Sequence, residues 1–179
     1  EVGRYLGQDM VTMEPTDYSM VYIWSYYPLR DAMDELKPVY GMSLLAMLAM
    51  TADHIGAVFF PEIPLLRWIG RLAMPVLCFF IGEGLRHTRS PRRYLLRLTG
   101  FALLSELPFD LAFYGGIEWG HQNVYFTLAL GLLALWAIQS RGMEGWLLAL
   151  TAALAAELLG CDYGMYGVLL ILLLDRFHR

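Results

Sequence analysis

Residues 39–60, VYGMSLLAMLAMTADHIGAVFF, form an apolar stretch long enough to cross a bilayer, yet Asp53 and His54 lie within it. A membrane helix needs about 20 predominantly apolar residues to span the hydrocarbon layer. An ionisable side chain is costly in hydrocarbon unless it faces other polar groups or a wet cavity. This stretch therefore predicts a membrane helix with one side facing a polar interior.

The same pattern recurs in the next two apolar stretches. Arg67, Arg71 and Glu83 interrupt residues 65–85, and Glu106 and Asp110 interrupt residues 92–113. Three further apolar stretches follow. The sequence therefore predicts six transmembrane helices, at residues 39–60, 65–85, 92–113, 123–139, 144–159 and 164–175.

Composition supports a membrane protein. The chain has 179 residues, of which 58% are hydrophobic and 17% charged, and its mean hydropathy is +0.47. A soluble domain is nearer to half apolar and about a quarter charged. We expect an all-α, polytopic helix bundle forming one domain at residues 39–179, in contact with the lipid bilayer. Residues 1–38 are expected to be a tail, with an aromatic interfacial segment or a disordered leader at residues 20–36.

Orientation follows from the distribution of basic residues. Five arginines and no acidic residue lie in the segment from Arg86 to Arg97, whereas residues 114–122 and 160–163 contain no Lys or Arg. The positive-inside rule then places both termini in the cytoplasm and the chain in the cytoplasmic (inner) membrane. By default such a cluster is a topology signal that contacts anionic lipid. Binding of a phosphate-rich ligand is the more specific hypothesis.

In this topology, polar residues from several helices fall at the same depth, in the outer half of the membrane. His54 lies about 13 residues beyond Gly41, or roughly 20 Å along the helix. The other residues predicted at this depth are Arg67, Arg71, Glu106, Asp110, Asn123, Thr127, Asp162 and Tyr163. Convergence of this kind predicts one interior polar site.

Helical spacing suggests how these side chains pair. Glu106 and Asp110 are four residues apart and share a helix face, as do Arg67 and Arg71, so an Arg–carboxylate network between the second and third helices would satisfy both pairs. Asp53 and His54 project about 100° apart and cannot pair directly. Any carboxylate from another helix that orients His54 would be Glu106 or Asp110.

Each of these interpretations has a structural alternative. Asp53 and His54 could anchor the first helix at the interface, the two pairs could form a purely structural network, and Asn123 with Thr127 could cap a helix. Pro75 and Pro108 lack the amide hydrogen that a helix interior requires, so both helices are expected to kink beside their charges. Cys78 and Cys161 suggest neither a disulfide scaffold nor a zinc site, and no metal is expected.

An ordered set of motifs resembles the TraX family, known for the membrane acetylase that modifies the N-terminus of conjugative F-type pilin. The matching segments are TADHIGAVFFP (51–61), IGRLAMPVLCFFIGEGLRHTRSPRRYLLRL (69–98), FALLSELPFDLAF (101–113), NVYFTLALGLLAL (123–135) and DYGMYGVLLILLL (162–174). The resemblance implies a multi-pass acyltransferase that uses acetyl-CoA. The implied acceptor is a peptide N-terminus or another surface molecule, and no nucleic acid is expected as a partner.

Residue chemistry is compatible with acyl transfer. An amine or hydroxyl that attacks a thioester must lose a proton, and His54 is the natural base. Glu106, Asp110 or Asp53 could hold its tautomer, and Arg71 or Asn123 could stabilise the oxyanion.

The arginine segment is the expected site for the phosphates of CoA. Arg86, Arg92 and Arg93 are the first candidates, followed by Arg97. Two other functional classes remain open. Intramembrane Asp, Glu and His also mark small transporters and proton-conducting modules, although no internal repeat is evident. A membrane scaffold would leave the convergent charges unexplained.

Overall fold

The computed structural model describes residues 38–178, and side chains from residue 41 onward. The predicted tail and its interfacial segment at residues 20–36 lie outside this range. The helices are α1 (Pro38–Phe59), α2 (Pro64–Arg71), α3 (Ala73–His87), α4 (Pro91–Phe113), α5 (Val124–Arg141), α6 (Met143–Leu158) and α7 (Gly164–His178). The prediction of an all-α bundle is confirmed, with α2 and α3 together forming the second of the six predicted helices.

Three helical segments have the length and composition of a membrane span. They are Gly41–Phe59 of α1, Pro64–His87, which joins α2 and α3, and Val124–Arg141, which is α5. By contrast, α6 and α7 have only 16 and 15 residues. At 1.5 Å per residue they are about 24 and 22 Å long, less than the roughly 30 Å of the hydrocarbon layer. The three long apolar segments are therefore those of a membrane protein, whereas α6 and α7 are shorter than a full span.

Proline acts differently in the two helices where a kink was expected. The second helix is interrupted at Leu72, whose backbone N–H donates to the carbonyl of Ile69, and α3 starts at the next residue. Pro75 follows within the first turn of α3, where a missing amide hydrogen is tolerated. In α4, by contrast, the helix continues through Pro108 without interruption.

Helix α5 lies at the centre of the bundle, where it packs against α3, α4, α6 and α7. Leu128 and Leu132 of α5 are fully buried, as are Val168 and Ile171 of α7. Gly131 brings α5 and α7 together, because a Cβ there would lie 2.2 Å from the Cδ1 of Ile171. This central packing holds the start of α5 and the start of α7 at the same end of the bundle.

Small residues bring α6 against α5. Ala149, Ala152, Ala153 and Ala156 are buried along one side of α6. At Gly145 a Cβ would lie 2.2 Å from the carbonyl oxygen of Ala137, a backbone atom that cannot move aside. Contacts between small residues let helix backbones approach closely where no hydrophobic effect drives association within lipid.

Replacement of Gly145 by Ala is expected to destabilise the bundle by about 1–3 kcal/mol, the usual cost of overpacking. The measurement is thermal unfolding of the purified protein in lipid nanodiscs. Gly100→Ala is the matched control, because a Cβ at Gly100 has no neighbour within 4 Å. Equal unfolding midpoints for the two variants would contradict the close α5–α6 contact.

Candidate functional site

A cavity of about 840 Å³ opens at one end of the bundle, where α1 and α4 end and where α2, α5 and α7 begin. We call this the cavity end. Its polar lining comes from five helices and two connecting segments. The polar and aromatic residues that line it are Asp53, His54, Arg67, Arg71, Ser105, Phe109, Phe113, Tyr114, His121, Asn123, Tyr125, Asp162, Tyr163 and Tyr166.

His54 is held in a defined tautomer by the backbone of its own helix. Its Nδ1 lies 2.7 Å from the carbonyl oxygen of Met50. A carbonyl oxygen only accepts, so Nδ1 donates its hydrogen and Nε2 of the neutral ring retains a lone pair. The ring of Phe113 meets the imidazole edge-on, with the ring centroids 5.5 Å apart. The carboxylate expected to orient His54 from another helix is thus replaced by a peptide carbonyl.

Asp53 joins α1 to α2 through an ion pair. Nη1 of Arg67 lies 2.8 Å from Oδ2 of Asp53. Gly70 makes the approach possible, because a Cβ there would lie 2.1 Å from the Cβ of Asp53. The sequence correctly predicts that Arg67 needs a carboxylate, but the predicted partners on α4 are wrong, since the carboxylate comes from α1.

Arg71 lines the same cavity and is exposed to it. Within the part of the chain that the structure describes, Arg71 forms no ion pair with an acidic residue. Its charge lies close enough to Tyr163 to affect that phenol electrostatically. The cavity therefore contains one guanidinium that is available to a ligand, beside another that Asp53 occupies.

Asn123 lies at the start of α5 and is fully engaged by the protein. Its Oδ1 accepts from the backbone N–H of Tyr125 at 2.9 Å. Its Nδ2 donates to the carbonyl of Ala102 at 2.8 Å and to Oε2 of Glu106 at 2.5 Å. Both amide hydrogens are therefore used, so the structure does not support Asn123 as an oxyanion donor. The helix-cap alternative describes it instead.

Glu106 and Asp110 do not line the cavity, and neither pairs with Arg67 or Arg71. Asp110 is 2% exposed, and its Oδ2 accepts from the backbone N–H of Glu118 at 3.0 Å. The remaining carboxylate oxygen of each residue is buried without a hydrogen-bond partner in the described chain. The predicted network with Arg67 and Arg71 is therefore wrong. Glu106 and Asp110 instead hold the segment between α4 and α5 through its backbone N–H groups.

That segment is also tied to the one before α7. The backbone N–H of Gln122 donates to the carbonyl of Gly160 at 3.1 Å, and that of Asp162 donates to the carbonyl of Gln122 at 2.8 Å. The hydroxyl of Thr127 donates to the carbonyl of Asp162. These bonds bring His121 and Asp162 together at the mouth of the cavity.

The sequence grouped Asp162 and Tyr163 with the other cavity residues but gave them no role, and His121 was not among the predicted residues. The sequence Asp162-Tyr163-Gly164 contains a signal for a turn, because a glycine often occupies a position with left-handed backbone conformation. Here Tyr163 itself has a φ of 65°, which is strained for a bulky side chain. Such strain persists only where the surroundings enforce it.

Burial is the main electrostatic influence on Asp162, a residue of the connecting segment outside the helices. Burial raises the pKa of the Asp162 carboxyl, His121 opposes that shift, and Asp53 adds to it. Arg67 lowers the pKa slightly, as the last of the contributing charges. The carboxylate form is therefore short of compensating positive charge.

The arginine segment lies at the opposite end of the bundle. Arg86 bridges two carboxylates there, with Nη1 2.6 Å from Oε1 of Glu83 and Nη2 2.9 Å from Oδ1 of Asp175. Nε2 of His178 is 3.3 Å from Oε1 of Glu83. Arg86 therefore links α3 to α7, which is a structural role that the sequence did not reveal.

The other candidate CoA ligands differ in availability. Arg92 and Arg93 are exposed in the first turn of α4, and Arg97 is partly buried and has contacts within the protein. None of the four predicted arginines lines the cavity. The 15 residues of α3 separate the two ends by about 22 Å.

Asn123→Ala is expected to lower the free energy of unfolding by about 1–3 kcal/mol, since it removes the α5 cap and leaves Glu106 Oε2 with fewer donors. Ser140→Ala is the control, because that hydroxyl only bonds to carbonyls of its own helix at the other end of α5. Thermal unfolding in nanodiscs measures both. A loss for Ser140→Ala as large as that for Asn123→Ala would contradict the assignment.

Comparisons with known proteins relate this chain to one protein family. The family model described as "TraX protein" matches residues 41–179. The probable fimbrial assembly protein FimC of serogroup H1 from Dichelobacter nodosus is 35% identical over 156 residues, which is 78% of this chain and 62% of that protein. Protein TraX of Escherichia coli is 29% identical over 139 residues, covering 75% of this chain and 54% of that protein. No solved structure gives a significant match.

An uncharacterized protein of Rickettsia prowazekii, RP591, is 56% identical over a shorter stretch of 41 residues, or 23% of this chain and 16% of that protein. The chain spans less than two thirds of the length of each of these relatives. The family match nevertheless covers every helix of the bundle from the first turn of α1 onward. The chain belongs to the TraX family.

Proposed function

We propose that this chain is the transmembrane part of an acyltransferase that moves an acetyl group from acetyl-CoA to an amine or hydroxyl acceptor. The amine would be the N-terminus of a pilin-like protein, as the family resemblance implies. The observation that supports this most is the state of His54. Its Nδ1 hydrogen is committed to Met50, and His54 lines a cavity that also contains Arg71, which forms no ion pair with a described residue.

The proposed step begins with proton transfer. Nε2 of His54 takes a proton from the acceptor nitrogen or oxygen as that atom bonds to the thioester carbon. Arg71 stabilises the negative charge that develops on the carbonyl oxygen. The C–S bond then breaks, and the CoA thiolate takes the proton from the His54 imidazolium. Atoms and charge balance without any metal.

The ion pair between Asp53 and Arg67 has a supporting role in this scheme. With Arg67 paired to Asp53, Arg71 is the guanidinium among the described cavity residues that remains for the oxyanion. The same contact fixes α2 against α1 and thereby sets the distance between Arg71 and His54. Pre-organised geometry of this kind removes reorganisation cost from the reaction.

For the donor nucleotide we propose Arg92 and Arg93, which are exposed and form no ion pair in the described chain. Arg86 is assigned to the α3–α7 link. The acetyl group would then have to pass the length of α3, about 22 Å, before it reaches the cavity that contains His54. Buried Leu77, Cys78 and Ile81 lie along that path, so donor binding at the arginine end requires α3 to separate from α5 or α7.

The location proposed for this enzyme is the cytoplasmic membrane, with the arginine end in the cytoplasm. The clustering of Arg86, Arg89, Arg92, Arg93 and Arg97 at one end supports this orientation. Acetyl-CoA is a cytoplasmic donor under this arrangement, and the cavity end would face the acceptor on the other side.

His54→Ala is expected to reduce acetyl transfer by about 10²–10⁴-fold, the usual contribution of a positioned general base. Release of CoA from acetyl-CoA by the protein in nanodiscs is the measurement, with mass spectrometry of added peptide and sugar acceptors. Thr51→Ala is the control, because Thr51 is on the same helix, outside the cavity, and bonds only to Met47.

If His54→Ala and Thr51→Ala lose equal activity, His54 is not the base. If the parent itself neither binds nor turns over acetyl-CoA but conducts protons across vesicles, the transporter alternative replaces the acyltransferase. Either result comes from the same preparation.

The double variant Arg92→Ala with Arg93→Ala is expected to raise the KM for acetyl-CoA by about 2- to 30-fold, since each exposed charge contributes 0.2–1 kcal/mol. Arg141→Ala is the control, because it removes an exposed arginine from the same end of the bundle. An unchanged KM would place the donor nucleotide elsewhere and leave the arginines as lipid contacts.

A further inference from the structure

We infer that Asp162 is the specificity-determining residue of the cavity and binds a cationic group of the acceptor. It would thereby select an amine over a hydroxyl. The inference rests on the acyl transfer proposed above for its catalytic meaning, but the cation site itself depends only on the geometry of the cavity.

Charge accounting within the cavity supports this role. Two acidic side chains line it in the described chain, Asp53 and Asp162. Asp53 is occupied by Arg67, whereas Asp162 forms no ion pair with a described residue. His121 and Arg67 act on Asp162 electrostatically, without forming an ion pair with it in the described chain. A partly buried carboxylate without a counter-ion is costly, and a ligand cation would remove that cost.

The surroundings of Asp162 suit an organic cation. Tyr114, Tyr125, Tyr163 and Tyr166 line the same cavity. Aromatic faces attract ammonium groups, most strongly where water is excluded. Groups that could hold a metal ion, with three or more His, Cys, Asp or Glu side chains, do not occur among the described residues. The lining therefore favours an ammonium group over an inorganic cation.

The backbone around Asp162 is built to hold this carboxylate in place. Asp162 donates its N–H to Gln122 and accepts at its carbonyl from Thr127, while Tyr163 takes the strained left-handed conformation next to it. Gly160, with a φ of 64°, packs so closely that a Cβ would lie 2.2 Å from the carbonyl oxygen of Gly120. A residue fixed from both sides is pre-organised for binding.

The proposal gives separate roles to Asp162 and Arg71, the two charged cavity residues without an ion-pair partner among residues 38–178. Asp162 binds the acceptor in its ammonium form, which gives one proton to solvent at the cavity mouth before its nitrogen can attack. His54 then takes the second proton as the bond to the thioester carbon forms, and returns it to the CoA thiolate. Arg71, which forms no ion pair with Asp162, remains available to the thioester oxygen. A neutral hydroxyl acceptor can donate a hydrogen bond to Asp162 but brings no positive charge, so the carboxylate charge stays uncompensated.

Two matched probes test the inference, alanyl-phenylalanine amide, which has an ammonium group, and lactoyl-phenylalanine amide, which has a hydroxyl in its place. Their binding to the protein in nanodiscs is measured by calorimetry without acetyl-CoA. We expect the parent to prefer the amine, and Asp162→Asn to weaken amine binding by about 10- to 100-fold, in line with loss of a charge-assisted hydrogen bond. Hydroxyl binding should change by less than about 5-fold, because its hydrogen bond can pass to the amide oxygen of the substituted side chain.

Glu118→Gln is the matched control. It removes the same charge at the same end of the bundle, from a residue outside the cavity lining. It is expected to leave both affinities unchanged. Equal weakening of amine binding by Glu118→Gln and Asp162→Asn would reduce the effect to a general electrostatic field and overturn the inference.

Two further results separate this inference from the proposed function. With acetyl-CoA present, Asp162→Asn should raise the KM for the amine probe and change kcat little, because uniform binding is lost. Absence of turnover with the binding pattern intact would overturn acyl transfer and keep the cation site. Turnover by a parent that shows no preference for the amine probe would overturn the cation site, whatever the stability of the variant.

Discussion

The ion pair between Asp53 and Arg67 is the contact on which the cavity depends. Two opposite charges in an apolar bundle satisfy each other, and their approach requires the missing side chain of Gly70. Once that pair is formed, α2 is fixed against α1, and Arg71 and Asp162 are left in the cavity without an ion-pair partner in the described chain. The pair adds little to stability by itself, because the Arg67 side chain is 43% exposed and solvent screens the attraction. Its value here is positional, since it determines which guanidinium remains free.

The sequence predicted helix positions well because two independent signals agree. Apolar length sets where each helix lies, and Pro61, Pro64, Pro91 and the glycines of the connecting segments set where each one ends. Pairing was predicted less well, because helical spacing shows which side chains share a face but not which neighbouring helix that face meets. Arg67 and Glu106 both needed partners, and each found one, Asp53 and Asn123, that spacing along a single helix cannot identify.

The sequence predicted that one polar site exists, but it identified only some of the residues that line it. His54 and Arg71 line the cavity as expected, whereas Glu106 and Asp110 turn towards the connecting segment and position it. The tautomer of His54 depends on a backbone carbonyl one turn away, a contact that no residue pattern encodes. His121 joins the site through backbone hydrogen bonds between two connecting segments, which leave little trace in the amino-acid sequence.

The interruption at Leu72 divides one long apolar helix into two parts that pack against different helices. The first part, α2, packs mainly on α1, whereas α3 packs on α7 and α5 as well as on α1. Arg67 and Arg71 belong to the first part, and Arg86 belongs to the second. The two guanidinium groups at the mouth therefore take their position from α1, whereas the inner half of the same helix takes its position from α5 and α7 as well.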